Sequence, residues 1–146
     1  MTAKEYLGRI RRQRYKLQQV KRELLEVQAD ILTLKAASLT ERVSGSKISD
    51  IADKYIKLER YLDRVNDEWD VLIDMRIAAK NRIDMLPEAT YQDILYARYI
   101  NNMDWDDIAE EQHYNPKYIF RVHGRALQSF TAIHKDFLQK VTQCDL

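Results

Sequence analysis

Apolar residues return at steps of three and four along Tyr6, Ile10, Leu17, Val20, Leu24, Val27, Ile31 and Leu34. They do so again along Ile51, Tyr55, Leu58, Leu62, Val65, Trp69, Leu72, Ala79, Ile83 and Leu86. Gln13 interrupts the first stripe and Arg76 the second. This spacing keeps one face of an α-helix apolar, and no strand can display it. The stripes predict helices over residues 3–36 and from Ser49 to Met85, each on the order of 50 Å long at the helical rise. Neither stripe is stable in water. Two stripes of similar length joined by one short segment, Ser38 to Lys47, fold back most simply as an antiparallel coiled-coil hairpin. Pro87 ends the second helix, because the residue before a proline is pushed out of the helical region.

Composition agrees with an all-α chain. Three glycines and two prolines in 146 residues leave few turns, and 32% charged residues suit solvated helices. No run of about 18 apolar residues is present, so no membrane span is expected. The first residues lack the apolar core of a signal peptide, and the lone cysteine, Cys144, has no partner for an internal disulfide. A reducing, cytoplasmic setting is the expectation. Charge is uneven. Residues 1–24 carry eight Lys/Arg against two acids, whereas residues 86–146 carry six against nine. The basic run Arg9, Arg11, Arg12, Arg14, Lys16, Lys21, Arg22 fits either phosphate contact or the outer face of a coiled coil. In the second case it would be balanced by acids on the second helix such as Asp63, Asp67, Asp70 and Asp74.

The pattern changes after Pro87. A helix is expected from about Thr90 to Asn101, then a turn over Asn101, Asn102 and Met103. Asp104 is a good N-cap, with Asp107 at the reciprocal position of a capping box. Trp105, Ile108 and Ala109 form the inner face of that short helix, and His113, Tyr114 and Asn115 a turn. Asn115 caps the next helix and Pro116 takes its first position. That helix is expected to run to about Val141, burying Ile119, Val122, His123, Ala126, Phe130, Ile133 and Phe137. Its opposite side presents Lys117, Phe120, Arg121, Gly124, Arg125 and Gln128, with Tyr118 beside them. A short capped helix, a tight turn and a second helix with a basic outer face make a helix-turn-helix, whose second helix enters the DNA major groove. Lys117 and Arg121 suit guanine edges or phosphates, and Gln128 suits adenine or the backbone. Gly124 would let the helix lie close to the duplex.

The layout over residues 86–130 resembles the fourth, C-terminal region of bacterial sigma factors. The matching pieces are Leu95-Tyr96-Ala97-Arg98-Tyr99 in a lead helix, Asp107-Ile108-Ala109-Glu110, and Arg125-Ala126-Leu127 with Phe130. In size and order the chain is also similar to small transcriptional regulators of Gram-positive phages, the RinA and ArpU type. The resemblance implies a sigma-like helix-turn-helix behind a helical N-terminal part and control of phage late genes; with the stripes, the expected division is a hairpin domain over residues 1–85 and the helix-turn-helix domain over 86–146. The expected partners are double-stranded DNA and RNA polymerase, with a second copy through the coiled coil as a further expectation from its apolar surface. Asn115-Pro116 after the turn and Gly124 depart from the family pattern, and nothing resembles a promoter-melting region.

Two readings compete with a regulator: a coiled-coil adaptor and a small phage DNA-packaging subunit. A surplus apolar face using Leu25, Ile56, Ile73 or Ile77 would favour a partner or dimer. No catalytic residue, cofactor or metal is expected. His113, His123 and His134 lack ligand spacing, and the acids Asp104, Asp106, Asp107, Glu110 and Glu111 are explained by capping and solvation.

Overall fold

The computed structural model describes residues 1–40 and 45–144, with the side chains of 38–40, 46 and 47 left aside. Among the described residues every regular element is helical. The order is α1 (Ala3–Thr40), α2 (Gly45–Ile83), α3 (Ala89–Leu95), a π-helical segment (Tyr96–Ile100), α4 (Trp105–Glu111), α5 (Pro116–Ile133) and α6 (Lys135–Cys144). The expected connection is therefore shorter than Ser38 to Lys47, since helix claims both of its ends; its centre, residues 41–44, lies outside the described residues.

The chain forms two compact units. The first gathers Met1–Arg12 with the chain from Leu72 onward; the second is Gln13–Val71.

In the second unit, α1 and α2 run antiparallel. Gln13 meets Glu68, Lys21 meets Trp69, Asp30 meets Lys54 and Lys35 meets Tyr55. Leu17, Val20, Ile31 and Val65 are buried along the seam. Gln13, the polar break in the first stripe, is buried too. Its amide donates to the Glu68 backbone carbonyl at 3.1 Å and also to the Glu68 carboxylate. A buried amide without partners would be costly; satisfied, it fixes register between the helices. These bonds, joined by Lys16 at 3.1 Å, hold the Glu68 carboxyl below its ordinary range. Lys16 thus pairs with an acid of α2.

The first unit is built around Phe130 of α5, which has no exposed surface. Leu7, Ile10, Leu72, Ile83, Ile94, Leu95, Ile108 and Ile119 complete a fully buried core. The Tyr6 ring stacks on Phe130 at 6.0 Å and meets Phe137 edge-on at 5.1 Å. The Arg82 guanidinium lies 3.6 Å from the Phe137 ring centre and donates to the Tyr6 hydroxyl at 3.3 Å. Burial holds the Tyr6 phenol above its ordinary pKa despite that cation.

The helix expected to reach Val141 breaks instead at His134, with φ −109° and ψ 25°. The His134 ring is buried and donates through Nε2 to the Arg82 carbonyl at 2.8 Å. This anchors the chain where the helix direction changes. The break also explains Ile133, expected inside but exposed on the last turn of α5. A single register cannot extend through a kink.

Candidate nucleic-acid interface

The C-terminal half of the first unit positions α5 by its ends and by its inner face. Asp104 stands at the N-cap of α4, but its side chain makes no capping bond. The capping box with Asp107 is not formed, and Asp107 stays exposed with Asp106 in the first turn. There the two carboxylates still favour the positive end of the helix dipole.

At the other end of α4, His113 adopts φ 58°, in the left-handed region. The Tyr114 N–H donates to the Ala109 carbonyl at 2.9 Å and the His113 N–H to the Glu110 carbonyl at 3.2 Å. This pair of bonds is a Schellman motif, usually served by glycine. His113→Gly is therefore expected to raise stability by about 0.5–1 kcal/mol, because glycine enters this region without a Cβ clash. Thermal unfolding checks it, and an unchanged or lower melting temperature would refute the strain.

Two residues on, the Asn115 side chain accepts from the Lys117 N–H at 2.9 Å, and Pro116 opens α5. The cap is formed as its residue types require.

Behind α5, Trp105 acts as a hub. Its ring meets Phe120 at 5.0 Å and His123 edge-on at 4.6 Å, and the Arg98 guanidinium lies 4.4 Å above it. The Arg98 side chain also donates to the Met103 carbonyl at 3.0 Å, and Arg11 donates to the Arg98 carbonyl at 3.4 Å. Burial, with the Arg11 charge beside it, lowers the Arg98 pKa from its ordinary value. The π-helical segment puts one extra residue into the turn around Arg98, and such segments re-aim side chains. His123 is buried and hydrogen-bonded through Nε2 to the Tyr99 hydroxyl at 2.9 Å. Burial, then the charges of Lys4 and Arg98, lowers its pKa to about 4, so the ring is neutral at pH 7. Burial raises the Tyr99 phenol as well.

These contacts fix which side of α5 faces outward. Ile119, Val122, His123, Ala126 and Phe130 are buried. Lys117, Arg121, Arg125 and Gln128 are exposed, at i, i+4, i+8 and i+11. No Asp or Glu occurs between Glu111 and Asp136. Lys117, Arg121 and Arg125 form no ion pair among the described residues. Phe120 and Tyr118 flank this row, half-exposed, and each is braced by another ring: Phe120 by Trp105, and Tyr118 by Tyr114 at 4.9 Å. Gly124 lies within the row, and a Cβ there would meet nothing within 4 Å. It is no packing notch. The acids Asp104, Asp106, Asp107, Glu110 and Glu111 are exposed on and before α4.

The structure thus brings Lys117, Tyr118, Phe120, Arg121, Gly124, Arg125 and Gln128 onto one continuous outward surface of α5. Its supports were not legible in the sequence. Arg98, Tyr99 and His123 find their partners across helices, with no spacing signal to mark them. The histidines have structural explanations: a turn, a buried bond to Tyr99 and an anchor to Arg82.

No described helix is long and apolar enough to cross a membrane. No protein-family model, curated protein or solved structure matches the chain.

Proposed function

We propose that this chain is a DNA-binding transcriptional regulator, in which α4, the turn at His113 and α5 act as a sigma-like helix-turn-helix. The long helices would form the coiled-coil hairpin that precedes it. One observation carries the reading: a cationic row, Lys117, Arg121 and Arg125, without an ion pair among the described residues, on the exposed face of a helix whose other face is locked in a core. A B-DNA major groove admits an α-helix and is lined by phosphates, so a rigid helix with a basic outer edge is its complement. Arg121, in the second turn, is assigned to a guanine edge or phosphate, Lys117 and Arg125 to the backbone, and Gln128 to adenine or the backbone. Tyr118 and Phe120, stiffened by ring partners, border the contact. Gly124, open to solvent, allows close approach of the duplex.

The acids on α4 repel phosphate and keep that helix off the duplex. They suit a basic surface on RNA polymerase, the partner that the sigma-like layout implies. A weak DNA contact would then gain strength from assembly. Regulation of phage late genes is the specific setting proposed.

The test is a fluorescence-anisotropy titration against duplex DNA selected from a random library, repeated at several salt concentrations. The wild-type chain is expected to bind with affinity falling as salt rises, by a slope of about −0.9 per phosphate contact. Arg121→Ala is expected to weaken binding by roughly ten-fold or more, about 1–3 kcal/mol for a good base contact. Salt-insensitive binding, or an Arg121→Ala protein that binds like wild type, would overturn the assignment.

A second reading, an interaction protein built on the long helices, has its own support. Leu25, Ile56, Ile73 and Ile77 are all exposed. The seam does not consume every apolar residue of α1 and α2.

A further inference from the structure

The second unit buries one side of each long helix and leaves an adjoining apolar side uncovered. Leu25 and Leu32 of α1, and Tyr55, Leu62 and Trp69 of α2, are between 37% and 67% exposed. They share one face. Leu32 and Tyr55 line the same groove with Ile31 and Leu58. The Lys35 and Lys21 ammonium groups reach across from α1 to lie 5.1 Å over the Tyr55 ring and 4.7 Å over the Trp69 ring. The opposite edge is closed by polar pairs, Lys16 with Glu68 and Asp30 with Lys54. A contiguous apolar face on one side and a salt-bridged edge on the other is the surface of a half-assembled bundle.

Charge on this face differs in balance between the helices. Around Leu25 and Leu32 the charges are Lys21, Arg22 and Lys35, with Glu26 one turn from Arg22 at the outer margin and Glu23 on the other side of α1. Around Tyr55, Leu62 and Trp69 they are Glu59, Asp63 and Asp70, all acidic, and Lys57, Arg60 and Arg64 fall on the far side of α2. The apolar spacing also matches. Leu25 and Leu32 are one heptad apart, as are Tyr55, Leu62 and Trp69. A stripe with the repeat of its opposite number can interlock as knobs into holes.

We propose that this face pairs with the same face of a second copy of the chain. A two-fold axis along the helices would lay α1 of each copy against α2 of the other. The basic edge of one then meets the acidic edge of its partner twice, as an isologous interface requires. Leu25 and Leu32 fit between the partner's heptad-spaced rings and leucine, and Arg22 comes opposite an acid in the position of Asp63. A foreign partner would need only one sign of charge; both signs at matched register point to a copy of the chain itself. The assignment stands independently of DNA binding.

Sedimentation velocity on the full chain at micromolar concentration tests it. The expected species has twice the 17.4 kDa chain mass. Leu32→Glu, at an exposed position, is expected to weaken dimerisation by about thirty-fold or more while helical circular dichroism is unchanged. Arg22→Glu and Asp63→Lys are each expected to weaken it by about ten-fold, and mixing the two variants to restore a heterodimer. A wild-type monomer would overturn the proposal and leave the face to a different partner. A dimer indifferent to Leu32→Glu would overturn it by locating the interface elsewhere. Charge variants that fail to rescue one another would refute the paired arrangement.

Discussion

Phe130→Ala is expected to lower the stability of the first unit by about 3–5 kcal/mol, the range for deleting a fully buried aromatic ring. Phe130 has no exposed surface, stacks on Tyr6 and packs against the His134 ring at 4.6 Å. Two places lean on it besides its own helix: the first turns of α1 through Tyr6, and the residue where α5 gives way to α6. A cavity there cannot be filled by one neighbour without pulling another away. Domains of this size hold about 5–15 kcal/mol in total, so the variant should unfold tens of degrees earlier at about 4–8 °C per kcal/mol. Phe130→Leu keeps much of the volume and should cost far less. Urea unfolding of both variants checks the ordering. A loss under about 1 kcal/mol for the alanine variant, below the usual range for large-to-small core changes, would mean that Phe130 is not the keystone of this core.

The second large effect is a dependence of stability on pH set by His123. In the folded chain the buried ring resists protonation down to about pH 4, while in the unfolded chain it takes a proton near its ordinary value of 6.5. The folded pKa is the lower one, so the unfolded state binds the extra proton. This stability is complete above pH 6.5 and drains away as pH falls toward 4, at up to about 1.4 kcal/mol per pH unit. Across the window the loss approaches roughly 3 kcal/mol. Glu5 and Glu68 act in the same direction, but their folded pKa values lie below 4.5, so their share is lost only at lower pH. The interval from pH 6.5 to 4.5 therefore isolates the histidine. His123→Gln, which keeps a polar group for the Tyr99 hydroxyl but cannot titrate, should flatten the profile there. Equal slopes for wild type and variant between those pH values would show that the ring is not held neutral by its surroundings. The His123 ring contacts Trp105 and its helix carries the cationic row, so acid should loosen the support of α5 before the core at Phe130 fails.

Much of the architecture was legible because helices announce themselves locally. The three-and-four stripes place α1 and α2 to within a few residues, and the seam positions Leu17, Val20, Ile31, Val65, Leu72, Ala79 and Ile83 are buried, whereas Tyr55, Leu62 and Trp69, expected in the same seam, are exposed. Asn115-Pro116 predicts both the start of α5 and its cap, since each residue acts on its immediate neighbours. From that start, helical periodicity alone sorts Ile119, Val122 and Ala126 inward and Lys117, Arg121 and Arg125 outward.

What the stripes could not supply is the end of an element or the identity of a distant partner. Periodicity runs on past His134, yet the helix stops there, where the ring donates a hydrogen bond to a carbonyl of α2. Asp104 and Asp107 have the residue types of a capping box, but the type permits the bond without compelling it. Gln13 looks like a flaw in a stripe until Glu68 is placed beside it.

The sequence by itself determined that this chain is helical, where α1, α4 and α5 begin, and that residues such as Leu17, Val20, Ile119, Val122 and Ala126 turn from water, because those properties depend on neighbours within a turn or two. Only the tertiary structure decided that Arg98, Trp105, Phe120 and His123 form one support, that Tyr6 stacks on Phe130 and meets Phe137 edge-on, and that Leu25 and Leu32 remain uncovered. Those outcomes depend on which apolar surfaces meet and how much area each helix has left over. That is a property of packing between elements, and it has no local code.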